Sequence, residues 1–217
     1  MSDLTLVIGN KNYSSWSLRP WLALKMTGQA FDEKLIVLRR PETKAEILLH
    51  SPAGKLPVLK RGDLTIWDSL AICEYIADTW PEADLLPEEA RARAVVRSVM
   101  SEMHSGFAAL RNEMPMDIHR KSPQAKQGVT PSEETRRDIA RVQQIWQDCR
   151  GRFGKTGDFL FGHFTLADAM YAPVATRFRT YDVPLDPVSA AYVDAIYALP
   201  AMQEWSAAAA KEAPLPD

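Results

Sequence analysis

The chain has 217 residues, of which 46% are hydrophobic and 25% are charged, a composition ordinary for a folded protein of one or two domains. Its formal net charge is −2 with both signs interspersed, which argues against a general binder of nucleic acids or anionic membranes, because those need a sustained basic face. The two cysteines, Cys73 and Cys149, are too few and too far apart for a disulfide framework or a zinc cluster, so no metal is expected.

The sequence indicates neither a secretory signal nor a membrane span. Its first residues lack a basic segment followed by a long apolar one. No apolar run approaches the roughly 20 residues that would cross a bilayer. We therefore expect a soluble, cytoplasmic protein that binds no membrane and no nucleic acid.

The first 80 residues predict alternating strands and helices. The predicted strands span residues 4–8, 31–38, 58–60 and 64–67, the last two forming a hairpin around Gly62. The predicted helices begin at about residues 15, 42 and 69, and the first of them stops at Gly28. The predicted order is β-α-β-α-β-β-α.

Beyond Trp80 and Pro81 the pattern changes to helices alone. The predicted helices span about residues 88–112, 132–153, 166–179, 190–199 and 201–210. Residues 114–131, with three prolines and mixed charge, are predicted to be a mobile connection or a lid over a cleft. These patterns place one domain at 1–81 and an all-helical domain at 88–217.

The stretch "NYSSWSLRPWLAL" places three serines where the first helix begins. Taken alone, the pattern favours a helix cap, because serine is a preferred N-cap residue. The alternative is an anion site, since a helix N-terminus offers unpaired N–H groups and partial positive charge. A serine hydroxyl there could donate a hydrogen bond to a thiolate.

Four motifs in order along the chain resemble the cytosolic glutathione S-transferase family. These are "SSWSLRPW", similar to the catalytic serine loop, "GKLPVL", similar to the cis-proline turn, "WDSLAICEYI", similar to the acidic-serine pair of the third helix, and "FGHFTLADAMYAPV", similar to the capping box of the helical domain. The resemblance implies a serine-type, zeta- or theta-like bacterial member. It also implies an α+β fold, with a thioredoxin-like N-terminal domain followed by a helical bundle, and a homodimer.

The resemblance implies that glutathione is the co-substrate and that a serine stabilises its thiolate. The zeta-class loop resembles "SSWSLR" serine for serine, with Trp16 replacing its cysteine, and favours Ser14. Counting back from Arg19, as in the theta class, favours Ser15 instead. We rank Ser14 first and keep both as catalytic candidates.

Five further residues are implied to bind glutathione. Pro57 would follow a cis peptide bond, which turns the Leu56 N–H and C=O towards the cleft. There they would pair with the cysteinyl backbone of the tripeptide, as a strand pairs with the edge of a sheet. Lys55 would meet the glycyl carboxylate, unless it is simply a solvated lysine. Ser69 suits the γ-glutamyl carboxylate and Asp68 the ammonium, although both also suit a plain helix cap. The reciprocal pair Thr165 and Asp168 is assigned to structure alone.

The electrophile pocket is less clearly marked. Met103, Phe107, Leu110 and Met114 recur at helical spacing as a core stripe, beside a second stripe that contains His104 and Arg111. A cationic Arg111 could stabilise negative charge on an electrophile. The candidate electrophile-binding residues are Trp16, His104, Phe107, Arg111 and Phe178, with Tyr13 and Tyr181 as further aromatic candidates.

The predicted function is conjugation of glutathione to small electrophiles. Two alternatives remain open: a glutathione-dependent cis-trans isomerase of the maleylacetoacetate type, and a non-catalytic ligand-binding or scaffold protein. Trp16 and Asp68 weaken the isomerase hypothesis, because the zeta class has cysteine and often glutamine at these positions.

Overall fold

A computed structural model describes residues 3–215, and its first part contains a small mixed sheet. The strands are β1 (Leu4–Gly9), β2 (Asp32–Ile36), β3 (Val58–Arg61) and β4 (Leu64–Ile66). Their order across the sheet is β2-β1-β3-β4; β1 and β2 run parallel, and the other neighbours are antiparallel. The parallel pair requires a crossover, which the first helix supplies.

Three helices accompany this sheet: α1 (Ser15–Thr27), α2 (Thr43–Leu48) and α3 (Ser69–Thr79). Helix α1 ends at Gly28, whose φ of 70° is the left-handed conformation that glycine adopts without a steric penalty. Helices α1 and α3 pack against each other, and α1 contributes fully buried Trp21 and Leu22 to the core. The predicted β-α-β-α-β-β-α order and the thioredoxin-like arrangement are confirmed.

The remaining elements are helical. After a short 3₁₀ helix (Pro81–Ala83) they are α4 (Ala90–Ser105), α5 (Ala108–Glu113), α6 (Pro123–Gln127), α7 (Glu133–Phe153), α8 (Leu166–Thr180), α9 (Pro187–Ala198) and α10 (Pro200–Ala210). Helix α8 is buried along nearly its whole length and packs against α1, α4 and α9. It therefore joins the helical part of the chain to the sheet-containing part. The domain boundaries at 81 and 88 stay a prediction.

The predicted capping box at the start of α8 is present. The Asp168 carboxylate accepts hydrogen bonds from the Thr165 N–H (2.8 Å), the Thr165 hydroxyl (2.9 Å) and the Leu160 N–H (3.1 Å). Asp168 is completely buried, and burial raises the pKa of its carboxyl group to about 6. This pair fixes the start of a helix that runs through the core.

The prediction of one helix over 88–112 was wrong, because the helix breaks at Gly106 and Phe107. Phe107 has a left-handed φ of 57°, and a Cβ on Gly106 would lie 2.7 Å from the Glu102 carbonyl oxygen. The new helix α5 then begins where the Leu110 N–H donates to the Asp138 carboxylate of α7 (3.1 Å). Because this partner comes from another helix, the periodicity of residues 88–112 could not reveal the break.

The segment 114–131, predicted to be mobile or a lid, is tied down in the structure. It contains α6, and the Asp117 carboxylate accepts hydrogen bonds from Asn12 Nδ2 (2.7 Å), the Lys121 N–H (2.9 Å) and the Ser122 N–H (2.6 Å). The His119 N–H donates to Asn12 Oδ1 (3.0 Å). The two bonds with Asn12 fasten the segment to the loop that precedes α1.

Within residues 3–215, no helix is long and apolar enough to cross a membrane. The same residues contain no cluster of three or more histidine, cysteine or acidic side chains arranged to hold a metal ion.

Candidate functional site

A cleft of about 890 Å³ opens where the start of α1, the turn before β3 and the start of α3 face helices α4, α5 and α8. The wall from the first half of the chain is lined by predicted site residues: Tyr13, Ser14, Ser15, Trp16, Lys55, Leu56, Pro57, Asp68 and Ser69. The opposite wall includes His104, Arg111, Asn112, Met116 and Arg177. The structure thus brings both catalytic candidates and all the glutathione-site candidates into one cavity.

The serine hydroxyls at the start of α1 do not cap the helix. Ser14 occupies the N-cap position but makes no capping hydrogen bond with its side chain. Its Oγ lies 2.7 Å from Ser17 Oγ, which accepts a hydrogen bond from the Gly9 N–H (3.1 Å). When Ser17 donates to Ser14, the Ser14 hydroxyl hydrogen is available to a ligand. The geometry therefore favours the anion site over the plain cap.

Ser15 has a different partner, a buried arginine of the helical part. Arg177 Nη2 donates to Ser15 Oγ over 3.2 Å, while Arg177 Nε and Nη1 donate to the carbonyl oxygens of Met114 (2.9 Å) and Pro173 (3.1 Å). Because the Ser15 oxygen accepts this bond, its own O–H remains free to donate into the cleft.

Arg177 is a site residue that the sequence analysis missed. Burial, followed by the positive charge of nearby Arg111, lowers the pKa of its guanidinium to about 10, so it stays protonated at neutral pH. Neither arginine forms an ion pair with a carboxylate in the described residues. The available signal was an arginine within a mostly apolar stretch of α8, between Ala175 and Phe178, where a charged side chain is unusual unless it is paired or functional.

The turn before β3 has the geometry that the family resemblance implies. The Leu56–Pro57 peptide bond is cis, as is the Trp67–Asp68 bond beside it. The Leu56 N–H and C=O make no hydrogen bond with any described residue and so remain free for an extended ligand. Lys55 is exposed at the rim of the cleft, where its charge can meet a ligand carboxylate.

The start of α3 combines a cap with an unpartnered hydroxyl. Asp68 is the N-cap, and its Oδ1 accepts hydrogen bonds from the Leu70 N–H (2.9 Å) and the Ala71 N–H (3.4 Å). Its Oδ2 lies 3.1 Å from Nε2 of His104, across the cleft on α4. Ser69 is fully buried, and its Oγ has no hydrogen-bond partner in residues 3–215 although the residue lines the cleft. A buried hydroxyl without a hydrogen-bond partner lowers the stability of the fold, and a ligand that forms the missing hydrogen bond would offset that cost.

The electrophile candidates divide into two groups. Trp16, His104 and Arg111 line the cleft, with the Arg111 guanidinium 5.4 Å from the centre of the Trp16 ring. Phe107 and Phe178 do not: Phe107 is buried in the core, and Phe178 packs against Trp146 with ring centres 5.3 Å apart.

The other aromatic candidates divide in the same way, because Tyr13 lines the cleft whereas the Tyr181 hydroxyl donates to the Pro115 carbonyl oxygen (3.0 Å).

Comparison with known protein families identifies the family to which the chain belongs. The sequence model "Glutathione S-transferase, N-terminal domain" matches residues 13–79, and "Glutathione S-transferase, C-terminal domain" matches residues 88–208. The chain belongs to the glutathione S-transferase family. It is therefore an enzyme of a family whose co-substrate is glutathione.

Individual members of the family support this assignment. The chain is 28% identical over 174 residues to maleylacetoacetate isomerase of Rattus norvegicus, covering 80% of this chain and 77% of the relative. It is 26% identical over 208 residues to glutathione S-transferase Z2 of Arabidopsis thaliana, covering 89% and 88%.

Two solved transferase structures share the fold. A maleyl pyruvate isomerase, described as a bacterial zeta-class transferase, matches with a TM-score of 0.75 and 22% identity. The match covers 96% of this chain and 100% of the isomerase chain. A transferase homologue from Burkholderia, solved with bound glutathione, matches with a TM-score of 0.73 and 20% identity, covering 97% and 99% of the two chains.

Proposed function

We propose that this transferase binds glutathione along α1, the cis-proline turn and α3, and adds its thiolate to a small electrophile that carries a carboxylate. The single observation that carries the proposal is the contact between Ser15 and Arg177. It places a buried guanidinium without a carboxylate partner next to the serines that would hold the sulfur.

Glutathione fits the wall formed by the first half of the chain. The free peptide groups of Leu56 would pair with its cysteinyl backbone, and the unpartnered Ser69 hydroxyl would donate to its γ-glutamyl carboxylate. Asp68 would accept from the ammonium and Lys55 would meet the glycyl carboxylate. This placement directs the sulfur towards Ser14 and Ser15 at the start of α1.

The thiolate needs stabilisation, because an ordinary thiol with a pKa of about 8.5 is mostly protonated at neutral pH. Hydroxyl donors at Ser14 and Ser15 and the N-terminal end of α1 favour the ionised sulfur. Neither cysteine of the protein could itself supply the thiolate at neutral pH, since burial raises the pKa of the Cys73 thiol and of the Cys149 thiol to about 12.

The opposite wall selects an anion. Arg111 and Arg177 face the cleft, and Asp68 is the one acidic side chain among the described lining residues. Such a site attracts a carboxylate and stabilises the negative charge that develops on a conjugated electrophile when sulfur attacks its double bond. In that step the C–S bond forms as the π electrons move onto the conjugated carbonyl group.

The fate of the adduct distinguishes two reactions. If the adduct takes up a proton from solvent at carbon, the product is a glutathione conjugate, which is our principal proposal. If the former double bond rotates and the C–S bond breaks again, the product is the geometric isomer and glutathione is regenerated. The similarity to relatives named maleylacetoacetate isomerase is the observation in favour of this second candidate.

The deciding experiment offers the purified enzyme glutathione and two matched electrophiles, an α,β-unsaturated carboxylic acid and its methyl ester. The values of kcat/KM, each divided by the uncatalysed rate constant, should favour the acid, and Arg111→Gln should reduce that preference. Equal values for acid and ester in the unaltered enzyme would refute the anion-selective site. Thiol consumption measured on a cis acid separates the two reactions: conjugation consumes one thiol per product, whereas isomerisation consumes none.

A homodimer and a cytoplasmic location, both implied by the sequence, remain part of this proposal. Sedimentation of the purified chain tests the first and fractionation of expressing cells tests the second.

A further inference from the structure

Trp16 is surrounded by charged and aromatic groups from three helices. The Arg19 guanidinium lies 4.2 Å from its ring centre and the Arg111 guanidinium 5.4 Å from it. The His104 ring meets it edge-on, with ring centres 5.3 Å apart and an interplanar angle of 78°. Trp16 is thus a second contact, besides that of Ser15 with Arg177, between α1 and the opposite wall of the cleft.

Arg111 has few other contacts that could fix its position. The one described hydrogen bond of its guanidinium runs from Nη1 to the His104 carbonyl oxygen over 3.4 Å, near the upper limit for such a bond. Arg177, in contrast, is held by three hydrogen bonds and is buried. The aromatic face of Trp16 is therefore the main contact that orders the Arg111 guanidinium, by cation–π attraction.

The Trp16 ring is itself held in place. Arg19 is 1% exposed, and its Nε and Nη1 have no hydrogen-bond partner within the described residues, so contact with the ring face helps to stabilise this buried cation. His104, which meets the ring edge-on, has a 3.1 Å contact of its own with Asp68. A ring held by both neighbours cannot turn away from Arg111 without disturbing them.

We propose that Trp16 determines electrophile specificity by holding the Arg111 guanidinium where a carboxylate of the substrate binds. The inference rests on the proposed function and deepens it: Trp16 sets how strongly the cleft prefers carboxylate electrophiles over neutral ones of the same shape. A cysteine at this position, as in the zeta-class loop, has no ring to hold the arginine.

The test compares acid and ester electrophiles in Trp16→Leu and Trp16→Phe. Removing the ring should lower the acid-to-ester ratio of kcat/KM by about two- to thirty-fold, the range expected for the loss of one cation–π contact. Phenylalanine keeps an aromatic face and should retain part of the preference. Glutathione affinity, measured by calorimetry, should change little, because neither variant alters a group proposed to bind the tripeptide, and retained affinity also shows that the variants are folded.

Trp80→Leu is the matched control. The Arg61 guanidinium lies over the Trp80 ring at the same 5.4 Å, but outside the cleft, so this substitution should leave the acid-to-ester ratio unchanged. An unaltered enzyme without any preference for the acid would overturn the proposed function. A preference that falls in Arg111→Gln but persists in Trp16→Leu would overturn the role of Trp16 alone.

Discussion

Replacing Ser14 by alanine should raise the apparent pKa of the bound glutathione thiol. Ser14 Oγ lies 2.7 Å from Ser17 Oγ, and Ser17 already accepts a hydrogen bond from the Gly9 N–H. This arrangement lets Ser17 donate to Ser14 and leaves the Ser14 hydrogen available to a sulfur at the proposed site. Ser14→Ala removes that donor but none of the groups proposed to bind the tripeptide backbone.

The size of the effect depends on the kind of bond that is lost. A hydrogen bond to a charged group contributes about 1.5–3 kcal/mol. One pKa unit corresponds to about 1.4 kcal/mol of difference between the two protonation states. Loss of the Ser14 donor should therefore raise the thiol pKa by about one to two units, while glutathione affinity at a pH where the thiol is protonated hardly changes.

The assay is titration of the bound thiolate by its ultraviolet absorbance, with affinity measured by calorimetry. Ser15→Ala is run in parallel, because the Ser15 hydroxyl, which accepts from Arg177, can donate to the same sulfur. An unchanged titration in Ser14→Ala would refute the assignment of Ser14. A shift in Ser15→Ala alone would transfer the role to Ser15, and no shift in either variant would refute serine stabilisation of the thiolate.

Three other substitutions have distinct expected outcomes. Ser69→Ala should weaken glutathione binding about ten- to a hundredfold by calorimetry. The free energy of unfolding should be nearly unchanged, since no internal hydrogen bond of the Ser69 hydroxyl is lost, and undiminished affinity would contradict the site. Thr165→Ala should lower the free energy of unfolding by about 1 kcal/mol in urea titrations, because it removes part of the capping box. The pKa of the bound glutathione thiol should stay unaltered, and a change in it would count against a purely structural role. Gly106→Ala should destabilise the fold by about 1–3 kcal/mol, since the new Cβ would lie 2.7 Å from the Glu102 carbonyl oxygen; wild-type stability would show that the α4–α5 break accommodates a side chain.

Local signals in the sequence predicted much of the fold. Apolar periodicity and Gly28 defined α1, a glycine-containing hairpin defined β3 and β4, and the reciprocal pair Thr165 and Asp168 defined the start of α8. Each of these features depends on residues within a few positions of one another, so a short window of sequence contains the information. The wall proposed to bind glutathione was implied by the family resemblance of short motifs, which lie at or just before the starts of elements.

The opposite wall was predicted only in part, because His104 and Arg111 were candidates whereas Arg177 was found only in the tertiary structure. Arg177 and Phe178 are neighbours on α8, yet the arginine reaches the cleft and the phenylalanine packs in the core. The difference depends on how α8 is rotated against α1, which the sequence pattern of one helix does not specify. The break before α5 likewise depends on Asp138 from α7. The sequence determined most of the elements and the residues at their starts, whereas the packing of distant helices decided which charged side chains line the cleft.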